Sequence, residues 1–258
     1  MELEFAQKIL KKFKLDDTII SINQNKTGLI NQTFELSTHE NKYILQRINT
    51  QIFPNYQQGL ENIILIKKWL KKTNYSYEFP SPLQNQYLNF KEKIWRLLPF
   101  VKKSNSINKV SNISEAEEAV KCMAEFYNCL EDIPIEKLNI TIPNFHSGKH
   151  KILAFNKALK NSNQLRKQNA WSLILEIERN LKILAEWDEI CRKLPKRIIH
   201  FDTKINNFLF EKTTNKVIAL TDLDTLMPGC ILSDVGDMIR TYSNPMGEES
   251  KDISKVIC

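Results

Sequence analysis

His200-Phe201-Asp202-Thr203-Lys204-Ile205-Asn206-Asn207 is a polar run between two short apolar ones, Arg197-Ile198-Ile199 before it and Phe208-Leu209-Phe210 after it. A tight loop between buried strands is a good place to present reactive groups, because the strands hold its ends while the loop stays open to a ligand. Within it Asp202 precedes Asn207 by five positions. A carboxylate so placed can accept a hydroxyl proton, and an amide oxygen is a ligand that magnesium accepts. Lys204 stands two residues past the aspartate, where an ammonium can reach a transferring phosphate.

The spacing H-x-D-x-x-x-x-N is that of a kinase-type catalytic loop. Alone it also describes a polar loop with a satisfied histidine. The following segment adds to it. Val217-Ile218-Ala219-Leu220 has the pattern of a strand and ends in Thr221-Asp222-Leu223-Asp224. Phosphoryl transfer needs an acidic metal ligand just after the catalytic loop, at a strand end. The residues therefore point to Asp202 and Lys204 as catalytic groups, Asn207 and Asp222 as Mg²⁺ ligands, ATP as co-substrate and Asp224 as a support.

The 258 residues suit two lobes around a cleft, and 42% hydrophobic residues are enough for a substantial interior. The net charge of +7 is spread along the chain without a nucleic-acid motif, so it marks solvated faces and a basic nucleotide cleft, not a nucleic-acid partner. Five cysteines form no CxxC pair, and Cys122, Cys129 and Cys191 lie in helical patterns as small hydrophobes, so neither a disulfide framework nor a zinc site is suggested. No apolar run reaches membrane-spanning length, and the start of the chain lacks an apolar signal core. This composition points to the cytoplasm; it is silent on oligomeric state.

Two regions are expected: residues 1–101, with strands and a nucleotide site, and 102–258, mainly helical, with the loop and the metal site. In the first, Leu3, Ala6, Ile9, Leu10 and Phe13 recur at helical spacing. Strands follow at Thr18–Ile22, Phe34–Leu36 and Lys42–Ile48. The turn between the first two carries Gly28, Asn31 and Thr33, and a glycine there lets backbone N–H groups approach a phosphate; an ordinary hairpin turn has the same look. On the third strand Gln46 and Arg47 stand where a phosphate-pairing cation is expected; only one of the two can face the cleft, and Arg47 is the charged one. A helix over 54–72 carries Glu61, which can orient that cation or be solvated. After strands at 87–90 and 93–98, Pro99 and Val101 would present backbone to an adenine edge. In the second region Ser114-x-x-Glu117 has the form of a capping box before an amphipathic helix. Helices near 150–160 and over 169–193 read as packing elements. The acids of Ser233–Arg240 either cap the helix that starts there or order the loops behind the metal site.

His200–Asn207, Thr221–Gly229 and Asp234–Arg240 together resemble the aminoglycoside-phosphotransferase and choline-kinase superfamily, a branch of the protein-kinase-like fold. Gly28–Asn31, Tyr43–Asn49, Asn144-Phe145-His146 and Asp222–Gly229 are similar to N-acetylhexosamine 1-kinases. The resemblance implies an α+β bilobal protein-kinase-like fold, with an antiparallel sheet plus helix in the first lobe and a mainly helical second one. It also implies an ATP- and Mg²⁺-dependent phosphorylation of the anomeric hydroxyl of a hexosamine, N-acetylglucosamine or N-acetylgalactosamine. Asp202 would be the base, Asn207 and Asp222 the magnesium ligands, His200 structural, and His146, Asp202 and Arg240 on the acceptor side. The same mechanism suits another small acceptor, an amino alcohol or an aminoglycoside. Relatives continue past the position of Cys258. The resemblance thus implies an incomplete acceptor side, weak sugar turnover or nucleotide binding alone, low stability, and exposed apolar groups on the 169–193 helix or at Met238 and Ile239.

Overall fold

The structure, a computed structural model, describes residues 1–25 and 30–247; the expectations for Gly28 and for the segment from 248 to Cys258 fall outside them. Helix α1 (Leu3–Lys12) leads into β1 (Ile19–Asn25), β2 (Gln32–Thr38), β3 (Lys42–Arg47), α2 (Tyr56–Lys72), β4 (Leu88–Phe90) and β5 (Lys93–Pro99). The strands form one antiparallel sheet in the order β1-β2-β3-β5-β4. Side chains alternate along each strand. Phe34 and Leu36, Leu45, and Trp95 and Leu97 therefore share one face, where they bury the apolar stripe of α1, Ala6, Ile9, Leu10 and Phe13. The other face carries Thr33, Gln46 and Arg96, aligned across β2, β3 and β5.

The remainder contains β6 (Ser104–Ser106), α3 (Ile113–Cys129), α4 (Gly148–Asn161), α5 (Gln164–Asn169), α6 (Trp171–Lys193), β7 (Arg197–Ile199), β8 (Phe208–Glu211), β9 (Val217–Leu220), β10 (Met227–Gly229) and α7 (Leu232–Tyr242). Small sheets β6-β8-β9 and β10-β7 frame the site. Its core joins Met123 and Phe126 of α3 to Phe208, Phe210 and Leu220, and also to Ile63, Ile66 and Leu70 of α2. Thus α2, although it lies before residue 101, packs into the larger core. The chain after α2 joins too: Glu78 N–H donates to Ile218 O at 2.8 Å and Glu78 O accepts from Leu220 N–H at 3.1 Å.

The capping box lies two residues earlier than Ser114-x-x-Glu117 suggests. The Asn112 side chain accepts from Glu115 N–H at 3.1 Å, and the Glu115 carboxylate accepts from Ser111 N–H at 2.7 Å. Asn is as good a cap as Ser, and the reciprocal carboxylate decides the frame.

α6 is less of a core helix than its apolar content suggests. Trp171, Leu173, Ile183 and Ile190 are exposed and only Ile174 is buried. Ile239 is 64% exposed, whereas Met238 is buried. Among the described residues no helix is long and apolar enough to cross a membrane. The join between α4 and α6 is tight. Asp188 on α6 caps α4 by accepting from Gly148 N–H at 2.8 Å and Lys149 N–H at 2.7 Å, which lowers its pKa against the effect of burial. A Cβ on Gly148 would lie 2.1 Å from the Leu184 carbonyl oxygen. Gly148→Ala is therefore expected to cost about 1–3 kcal/mol in urea unfolding, the usual penalty of overpacking. Gly236→Ala, with nothing within 4 Å, is the control. Equal behaviour of the two variants would contradict the close α4–α6 packing.

Candidate active site

The His200–Asn207 loop is shaped from behind by one carboxylate. Asp234, in the first turn of α7 and without solvent exposure, accepts from His200 N–H at 2.7 Å, Phe201 N–H at 2.6 Å and Tyr127 O–H at 2.7 Å. Burial raises its pKa, and these donors pull the other way. Of the two roles open to the α7 acids, Asp234 thus takes the ordering one. Thr203 Oγ1 adds a bond to Asp234 O at 2.8 Å, and Tyr242 O–H reaches Thr203 O at 3.1 Å. Phe201 has φ 65°, a left-handed conformation rare for a bulky residue, held by these bonds.

His200 is fully buried, and its Nε2 bonds to Thr221 O at 2.9 Å, donating since a carbonyl can only accept. Among the described residues Nδ1 has no partner. The histidine thereby ties the loop to the end of β9. A second tie is the Asn207 carbonyl, which accepts from both Thr221 N–H and Thr221 Oγ1 at 2.9 Å. These bonds tie Asn207 to Thr221, the residue before Asp222. Asn207 Nδ2 donates to Asp202 O at 2.7 Å, which leaves its Oδ1 for a cation. Asp222 is left-handed, φ 58°. Its carboxyl is pushed up to about 6 by the surrounding protein and then by the Asp224 and Asp202 carboxylates, against Arg96 and Lys204. The side chain is open to solvent on one side, which tempers the desolvation; the crowding by carboxylates remains, and a divalent cation relieves it. An amide oxygen beside such a carboxylate fits Mg²⁺, which completes its shell with water and phosphate oxygens. Lys204 Nζ lies 3.0 Å from Asp202 Oδ2, so the cation stands at the expected base.

The sheet face above this site corrects the assignment of the strand cation. Arg47 shares its face with Leu45 and lines a cavity of about 430 Å³ with Phe5, Phe34 and Trp95, on the α1 side. That cavity shares no residue with the loop. Gln46 holds the inner face: its Oε1 accepts from Arg96 Nε at 2.8 Å and its Nε2 donates to Thr33 Oγ1 at 3.0 Å. The inner cation is thus Arg96 on β5. It forms a two-pronged ion pair with Asp224, Nη1 to Oδ1 and Nη2 to Oδ2, the latter at 2.9 Å. Asn31 Nδ2 joins Asp224 Oδ2 at 2.7 Å. Glu61 does not serve a strand cation. It is exposed and accepts from Asn139 Nδ2 at 3.0 Å. Its buried neighbour Asn62 makes the structural link instead, donating to Leu226 O and Asn139 O, both at 2.9 Å. Pro99 ends β5 opposite Tyr43, and Val101 follows, buried, with its carbonyl accepting from Ser104 Oγ at 2.7 Å.

His146 stacks on Phe145 with centroids 4.6 Å apart and meets Phe201, the residue before Asp202, edge-on at 5.1 Å. Burial, then Lys151, lowers the His146 pKa. Arg240 is on the same helix turn as Asp237, to which its Nη2 donates at 2.6 Å. Gly229 leaves room for the platform: a Cβ there would lie 2.4 Å from the Phe201 ring.

The sequence reading missed Arg96 and Asn62. Both left a signal, a polar side chain inside an otherwise apolar strand or helix face, Trp95-Arg96-Leu97 and Asn62-Ile63.

A two-part scaffold with an Asp–Asn loop and a following acid is that of a small-molecule phosphotransferase. A family model described as "Phosphotransferase enzyme family" matches residues 21–252, and the chain belongs to that family. Membership makes the chemistry phosphoryl transfer. Among solved structures, the fold is similar to a GDP complex of a point mutant of aminoglycoside 2'-phosphotransferase-IIIa (TM-score 0.68, 15% identity, 93% of this chain and 78% of that one). It is also similar to a GDP and kanamycin complex of APH(2")-IIIa (TM-score 0.61, 16% identity, 88% and 74%). A spectinomycin phosphotransferase with ADP and spectinomycin gives TM-score 0.60 at 13% identity, 86% and 69%.

Two stability outcomes follow from this site. Asp234→Asn keeps the shape but turns one acceptor oxygen into a donor facing N–H groups, and should cost about 1–3 kcal/mol with loss of turnover. A protected His200 and Phe201 amide in hydrogen exchange of that variant would contradict the role. Asp224→Asn leaves the Arg96 charge without its partner, and urea unfolding should show a loss of about 3–5 kcal/mol. A loss comparable to that of an exposed pair would mean that the two charges are hydrated.

Proposed function

We propose that the protein transfers the γ-phosphate of ATP to the anomeric hydroxyl of an N-acetylhexosamine, in the cytoplasm. Asp202 accepts the hydroxyl proton as the acceptor oxygen bonds to Pγ; the bond from Pγ to the bridging oxygen breaks and ADP leaves. Asn207 and Asp222 would hold a magnesium ion, whose charge would offset that of the phosphates. Lys204, beside Asp202, steadies the transferred group. Asn31, Thr33, Pro99 and Val101 belong to the nucleotide side, and His146 and Arg240 to the acceptor side.

The observation that carries the sugar reading is the platform of Phe145, His146 and Phe201 next to the loop. Aromatic faces suit the apolar face of a sugar ring, and a lowered His146 pKa keeps that ring neutral. The acid that a polycationic aminoglycoside would seek, Asp237, is already engaged by Arg240. The matched structures with kanamycin or spectinomycin keep an aminoglycoside or related acceptor as the rival.

ADP release, measured against N-acetylglucosamine, N-acetylgalactosamine, choline and kanamycin, tests the assignment. The expected result is turnover with a hexosamine and loss of its reducing end. Phosphorylation of kanamycin alone would overturn it. Asp202→Asn should lower turnover by ~10²–10⁴-fold, the usual contribution of a general base, with nucleotide binding retained; near-normal turnover would remove Asp202 from that role.

A further inference from the structure

The two acids of Asp222-x-Asp224 are treated differently by their surroundings. Asp222 opens to solvent beside Asn207. Asp224 is 8% exposed and both its oxygens are taken, Oδ1 by Arg96 Nη1, Oδ2 by Arg96 Nη2 and Asn31 Nδ2. Arg96 is 2% exposed and reaches three further groups: Gln46 Oε1 through Nε, the Tyr87 hydroxyl at 3.3 Å through Nη1, and the Tyr87 ring at 5.9 Å. Gln46 passes the contact to Thr33, and Asn31 Oδ1 accepts from Asn49 N–H at 3.0 Å. One guanidinium therefore joins β2, β3 and β5 to the turn that bears Asp222.

We propose, resting on the reading of Asn207 and Asp222 as the metal-holding pair, that Arg96 is a positioning residue acting through Asp224. It withholds Asp224 from the metal, so that one carboxylate and not two faces the cation. By the same contact it holds the sheet at a set height over Asp222, and so sets the width of the nucleotide site. A planar fork that matches both carboxylate oxygens does this; an ammonium offers a single point of charge. A carboxylate paired on both oxygens in a buried place gains little by turning to a second cation, because it would leave Arg96 unpaired.

The test needs no acceptor. Binding of N-methylanthraniloyl-ADP is measured with Mg²⁺ and with EDTA for the wild type, Arg96→Lys and the double variant Arg96→Met/Asp224→Leu, alongside thermal melting. The double variant replaces a buried ion pair by apolar groups, an exchange that often preserves stability. The expected result is a folded double variant and, for both, nucleotide affinity lower on the order of tenfold, within the range of site-to-site coupling, by the same factor with and without Mg²⁺. Wild-type affinity in folded variants would reduce the pair to a structural contact and overturn the proposal. A loss confined to the Mg²⁺ arm would make Asp224 a metal ligand and overturn it as well. Arg96→Lys keeps the charge and most of the volume, so it decides by the same comparison where the double variant does not fold. Absence of binding by the wild type would instead strike the nucleotide reading itself.

Discussion

The Arg96–Asp224 pair joins two parts of the chain more than a hundred residues apart, with little access to water on either side. Desolvating such charges is costly, and their attraction offsets that cost only when the geometry is good and the remaining polar groups are satisfied. Here they are: Gln46, Tyr87 and Asn31 take up the rest. The value of the pair lies less in net stability than in register. A small displacement of the sheet against the Asp222 turn separates opposite charges where water cannot compensate.

The catalytic loop depends on a second buried acid of a different kind. Among the described residues Asp234 forms no ion pair with a lysine or arginine; backbone N–H groups and a phenol satisfy it. That arrangement fixes backbone direction, which a cation could not do. It maintains the left-handed Phe201, and Phe201 in turn presents its ring to Phe145 and His146. The chain from α7 to the acceptor platform is therefore short: carboxylate, backbone, ring. Gly229 belongs to it, since the ring occupies the space a side chain would need.

Much of this was legible in the chain itself. Asp202, Asn207 and Asp222 stand out as candidates by spacing, because a loop flanked by two short strands leaves few geometries for residues five apart. The strands at 34–36, 42–48 and 93–98 were read from their apolar patterns, but the face that packs on α1 emerged only with the structure. Strand parity was harder to read. Gln46 and Arg47 are neighbours of similar length, and choosing the cation placed the charge on the wrong side of the sheet. Parity is set by which neighbours are buried, and Leu45, two residues before Arg47, held that information.

Local order, then, was determined by the sequence alone: elements from periodicity, the loop from its flanking strands, the class of chemistry from residue types at fixed spacing. Only the tertiary structure decided the long-range partnerships. Asp224 with Arg96, Asp234 with His200 and Phe201, and Asn62 with Leu226 join residues 128, 34, 33 and 164 positions apart. Nothing in a linear pattern specifies which buried acid meets which donor, because that choice depends on how the elements pack and on which polar groups are left unsatisfied once water is excluded.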